Sequence, residues 1–389
     1  MAARSPLLAW HPREVAPTAS PDPQLASHRP VPADPERAEN LALLLAAAAA
    51  VVGAVIGLIR LQGTRPLTGT GSIGETASYA AMGTAGIAFL IAARLITLPM
   101  HPWLRRLGWR RRLSNLLGLA VLHAMFAYLL TAVLFAVFAT AFRGVALDPV
   151  AGTFWVAVAC GIAVYVVVGS ASALTTSSLS GLLMVFMVGG VLGSAMSAPD
   201  PHWWRHHFSW LGAEAGGSGL AFNLTLLLAG FTLVTIGDFL AHDLDIWAAH
   251  TGAERWRVRT VRGAMILLGL LLLAVALIPV DVSKTWHDMA AQGIVVVFAA
   301  AIVGFPLLFP RLSEGFRAAT LVIVAALLVC VVLWKGIGYL NTTAFEMGSA
   351  AIVFTWLLLF VRSVTAAVGS LEQRGGADGT GAAGRADRT

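Results

Sequence analysis

Charge is what this sequence has least of. Asp, Glu, Lys and Arg make up 12% of its 389 residues, against 58% hydrophobic residues and a mean hydropathy of +0.78. A soluble domain carries about 25% charged and about 45–50% apolar residues. The polar surface left here cannot cover a water-soluble globule, so the excess apolar surface faces lipid. Cysteine is nearly missing. Cys160 and Cys330 both sit in apolar runs, which excludes a disulfide framework and any cysteine-based metal spacing. They read as small apolar filler. There is no Walker-type phosphate loop, no dinucleotide glycine fingerprint and no nucleophile elbow. ATP-driven transport would need a partner subunit, and no cofactor is expected.

The first forty residues lack the central apolar run of a cleavable signal peptide. They hold eight of the seventeen prolines and mixed charges. Such a segment buries too little surface to offset its conformational entropy, so 1–40 is expected to be a disordered tail. The Gly-, Ala- and Arg-rich residues 370–389 are expected to be a second one.

Between the tails lie the apolar runs. A bilayer core about 30 Å thick takes roughly 20 helical residues. That ruler marks ten segments: Leu41–Ile59, Tyr79–Thr97, Leu116–Ala139, Thr153–Ala173, Leu179–Ser197, Leu220–Leu240, Val261–Val280, Gln292–Phe309, Ala318–Leu333 and Met347–Thr365. The fold class is therefore all-α, a polytopic membrane bundle. It divides into a four-helix unit, 41–174, and a six-helix unit, 179–365.

The net charge of +6 does not point to nucleic acid, because arginine is concentrated between apolar segments. One set of alternate loops holds Arg105, Arg106, Arg110, Arg111, Arg112, Arg255, Arg257, Arg259, Arg262, Arg311 and Arg317. The other holds Arg60, Arg65, Arg143, Arg205, Lys284 and Lys335. The basic set is expected on the cytoplasmic side, with both termini there. Its arginines can also hold anionic head groups, so membrane lipids are the expected partners.

An internal repeat is also expected. Val52-Gly53-Ala54-Val55-Ile56-Gly57 in the first segment matches Val188-Gly189-Gly190-Val191-Leu192-Gly193 in the fifth. A four-helix unit used twice would be related by an axis along the membrane normal. Gly-x-x-x-Gly places two glycines on one face, where a second helix can approach closely.

Ionisable groups inside a bilayer are candidates for function. Arg94 and Asp238 fall near the cytoplasmic ends of the second and sixth segments and are expected to pair. His123 lies about two turns inside the third. Asn223 is expected to bond to a neighbouring helix. The densest polar cluster is extracytoplasmic. His202, His206, His207 and Ser209 link segments five and six, among Trp203, Trp204 and Trp210. Asp281, His287 and Asp288 link segments seven and eight. These side chains could bind a lipid head group or small ligand, ligate zinc, or serve as acid and base. No residue is assigned as catalytic or as a metal ligand.

The stretch from Gly189 to Asp243 carries Asp200-Pro201-His202-Trp203-Trp204, then Phe208-Ser209-Trp210-Leu211-Gly212, then Phe222-Asn223. With Pro279-x-Asp281 and His287-Asp288, it resembles a bacterial multipass family of unknown function, DUF nine-nine-eight. The resemblance covers about 179–362. That family is distantly similar to the Frag/DRAM/Sfk group of eukaryotic membrane proteins. The resemblance implies membrane-lipid homeostasis and assigns no reaction. The expectation is a bacterial plasma-membrane protein that recognises a lipid or small ligand at its outer face. The alternatives are a secondary transporter with parallel repeats and a metal-dependent intramembrane lipid hydrolase.

Overall fold

The computed structural model describes residues 34–386 except 215 and 311, and side chains up to Leu371. The expected N-terminal tail, apart from its last seven residues, and Arg311 lie outside the described residues.

Ten helices are long and apolar enough to cross a membrane. They are α1 (Pro35–Arg60), α2 (Ile73–Met100), α3 (Trp109–Ala141), α4 (Pro149–Ser172), α5 (Thr176–Met196), α6 (Gly217–Thr251), α7 (Arg255–Leu277), α8 (Lys284–Leu308), α9 (Glu314–Gly336) and α10 (Thr342–Ala386). The protein is a multi-pass helical membrane bundle. All ten expected segments fall inside these helices or overlap them closely. Helix α10 continues past Ser370, where the sequence led us to expect a tail. Helix α2 begins at Ile73, six residues before its apolar run, because small and polar residues open it. Ser72 caps it by accepting from the Glu75 N–H at 3.1 Å, and Glu75 in turn accepts from the Gly71 N–H.

Consecutive spans alternate, so the arginine-rich loops share one face. On the opposite face a two-residue antiparallel ribbon, β1 (Arg65–Pro66) with β2 (Ala146–Leu147), ties the α1–α2 loop to the α3–α4 loop.

Small residues set the helix crossings. A side chain at Gly53 would collide with Cys160 and Val156 of α4, and one at Gly57 with Thr153. Helix α1 therefore lies directly on α4, as the Gly-x-x-x-Gly spacing predicts. Helices α6 and α7 cross where Gly230 and Gly269 meet: a Cβ on either would stand 2.6–2.7 Å from the other's carbonyl oxygen.

The expected repeat is not reproduced in the packing. Gly189 and Gly193 are exposed, with nothing within 4 Å of a Cβ at either. The face of α5 that packs on α6 carries Gly190 and Ser194 instead. There Ser194 and Ser218 each donate a hydroxyl to the other's carbonyl at 2.9 Å. Adjacent residues differ by about 100° around a helix, so a one-residue shift changes the face. Helix α4 packs along α1 and α2, but its expected counterpart α8 packs on α7, and α10 lies against α5 and α6. One continuous core of buried residues joins both expected units.

Candidate functional site

The face opposite the arginines gathers its polar groups from three places. The α5–α6 loop forms two short 3-10 turns, Trp203–Arg205 and Phe208–Gly212. Its apolar residues Trp203, Phe208 and Leu211 pack on Phe222, Val275, Ala276 and Ala290, which lie on α6, α7 and α8. This burial sets the loop over the start of α8, on the face opposite the arginines.

His207 is half-buried, and its Nδ1 lies 2.9 Å from the Ser209 hydroxyl. Burial holds its imidazole below the usual histidine range. The charges of Lys284, His287 and His206 add to the depression, and Asp288 opposes it. His206 stacks on Trp210 at 4.5 Å between ring centroids. His287 is buried, and its Nδ1 donates to the Ile278 carbonyl at 2.9 Å. Lys284 and Asp288 form an ion pair at 2.7 Å, one turn apart.

The third contributor was not singled out from the sequence. Glu346, in the second turn of α10, accepts from the Phe208 N–H at 2.6 Å. It lies within electrostatic reach of His287 and Asp288. Asn341 donates to the Trp204 carbonyl at 3.2 Å. Together they clamp the α5–α6 loop to α10. One turn either side of Glu346, the buried hydroxyls of Thr343 and Ser349 have no hydrogen-bond partner among the described residues. Buried polar atoms are rarely left so, and a water or ligand group would satisfy them. The only sequence signal for this contributor is a carboxylate just before an apolar run.

Other expected members stand apart. His202 is exposed beside Asp200, at 3.8 Å, and Asp281 is exposed. Asn223 bonds back to the Gly212 carbonyl of the loop at 2.8 Å, not to a neighbouring helix. His123 is sealed between the Leu119 carbonyl, 2.8 Å from Nδ1, and the Ser170 hydroxyl, 3.0 Å from Nε2, and stacks on Phe89. Among the described residues no group of three His, Cys, Asp or Glu side chains could hold a metal ion.

The expected Arg94–Asp238 pair does not form. Arg94 is exposed in a π-helical turn of α2, Ala93–Thr97. The Asp238 carboxylate is buried and is held by Arg111 of α3 and Arg262 of α7. Both arginines lie in the loop runs read as orienting charge. Nearby, a cleft of 230 Å³ opens between the two halves of the bundle, lined by His101, Trp103, Thr176, Phe239, Asp243 and Thr365 among others. Thr176 donates to Asp243 at 2.6 Å, and His101 Nε2 lies 2.9 Å from the Leu174 carbonyl. No protein family, curated protein or solved structure matches the chain.

Proposed function

We propose that this is a bacterial plasma-membrane protein, with its arginine-rich face and both termini in the cytoplasm, that recognises a lipid head group or small polar ligand at its outer face. The observation that carries the reading is the clamp of Glu346 on Phe208, which draws the His207 loop over His287, Lys284 and Asp288. Those groups offer a cation, carboxylates and imidazoles within one site, a set that suits a zwitterionic head group. The exposed Trp204 and Trp286 beside it are suited to the head-group layer. The resemblance of residues 179–362 to the DUF nine-nine-eight family, itself distantly similar to the Frag/DRAM/Sfk group, favours a lipid-related role, and we propose kinship with the DUF family.

The test is mass spectrometry of lipid retained by the purified protein, comparing wild type with the double variant H207A/E346Q. A lost hydrogen bond to a charged group costs about 1.5–3 kcal/mol, or about ten- to a hundredfold in affinity. Retained lipid should fall accordingly while the variant stays folded and monodisperse. Undiminished retention would leave the cluster as a solvated rim.

One arrangement favours transport as a second reading. The outer site and the cleft at the arginine-rich face both involve α10, through Glu346 and Thr365. Between them the buried side chains of α10 are Trp356, Leu357, Phe360, Val361 and Val364. A transporter would have to part this stretch.

A further inference from the structure

The arginine-rich face holds a cluster that the outer site does not use. The Asp238 side chain is 1% exposed. It accepts from Arg111 Nε at 2.6 Å and from Arg111 Nη2, from Arg262 Nε at 3.0 Å, and from Asn115 Nδ2 at 3.0 Å. Asn115 is itself fixed, its carbonyl oxygen accepting from Thr235 at 3.3 Å. The carboxylate is satisfied, but its two arginines are not. Two guanidiniums share one aspartate, which among the described residues leaves one positive charge uncompensated.

The remaining donors are pre-aimed. Arg111 and Arg262 are 36% and 35% exposed. Among the described residues, Arg262 bonds only through Nε and Arg111 only through Nε and Nη2. Both Nη groups of Arg262 and Nη1 of Arg111 thus remain for another acceptor. An arginine that merely snorkels would extend to water with all its donors. These two bend toward one buried carboxylate, so their forks are held in place. Trp109 and Trp256, on the same two helices, are 65% and 50% exposed. Exposed indoles near helix ends mark the head-group layer.

We propose that Arg111 and Arg262, braced by Asp238, form a seat for the phosphodiester of an acidic phospholipid, between the starts of α3 and α7. Guanidinium forks match phosphate oxygens in pairs. A zwitterionic head group would bring its own ammonium to a seat that already carries excess positive charge, so the acidic lipid is preferred.

The test uses the full chain in nanodiscs of either phosphatidylglycerol or phosphatidylcholine, read as thermal unfolding. Wild type should unfold several degrees higher in phosphatidylglycerol. R262Q should lose more than half of that difference, while R259Q, which removes an exposed arginine on the same helix, should keep it. Should R262Q yield no folded protein, R262K takes its place: it keeps the charge without the fork and should show a reduced difference. The proposal is overturned if the R262 variant keeps the full wild-type difference, or if R259Q loses as much. It is also overturned if millimolar inorganic phosphate gives the same rise in phosphatidylcholine, which would make this a soluble-anion site.

Discussion

Asp238→Ala is expected to cost about 3–5 kcal/mol, the usual penalty for removing one partner from a buried ion pair. The carboxylate joins three helices: α6 carries it, α3 supplies Arg111 and Asn115, and α7 supplies Arg262. Without it, two guanidiniums would face each other with nothing between them. Partial exposure lets each turn toward water, which places the effect toward the lower end of that range. Asp238→Asn keeps an acceptor and should cost less. Thermal unfolding of the detergent-purified variants reads the order wild type, D238N, D238A. An unchanged midpoint for D238A would mean that the two arginines are solvated independently and that the cluster does not hold α3 to α6 and α7.

Gly190→Ala is expected to destabilise by about 1–3 kcal/mol, the range for overpacking a close contact. A Cβ there would stand 2.1 Å from the Thr225 hydroxyl oxygen and 2.6 Å from its Cγ2. Thr225 cannot turn away freely, because its hydroxyl donates to the Ala221 carbonyl at 2.7 Å. Gly189→Ala should be neutral or slightly stabilising, since nothing lies within 4 Å of its Cβ position and alanine is the better helix former. Unfolding midpoints of the two variants decide which face of α5 packs on α6. If the Gly189 variant is the damaged one, the Gly-x-x-x-Gly alignment was right and the observed phase of α5 is wrong.

These two sites also show what the sequence could and could not convey. Ten spans were legible because hydropathy is local: each apolar run must cross lipid whatever its neighbours are. The crossing of α1 on α4 was half legible. Gly53 and Gly57 signalled a close approach, but not that Cys160 and Thr153 would meet them. The repeat failed because glycine- and valine-rich helices look alike while their faces do not. Gly189 aligned with Gly53, yet the packed residue is Gly190. Partners distant in sequence were the least legible. Asp238 was singled out for being charged within an apolar run, but Arg111 is 127 residues away and sits in an arginine run that already had a topological explanation. Glu346 was overlooked for a similar reason. It precedes an apolar segment by one residue and reads as a boundary, whereas its contact is the Phe208 N–H, 138 residues earlier. Connectivity alone puts the His207 and His287 loops on one face, but whether they touch depends on helix packing that the sequence does not state. Asp281, on the same face, is exposed, since sharing a face does not set where a side chain points.

We propose that the ten-span bundle has its arginine face in the cytoplasm and its His207–His287–Glu346 site outside. Paired reporter fusions, one at Arg257 and one at Lys284, test this most directly, because α7 alone separates the two positions. The account predicts that a phosphatase reporter is active only at Lys284 and a fluorescent cytoplasmic reporter only at Arg257. The reverse pattern, or the same compartment at both positions, would contradict it.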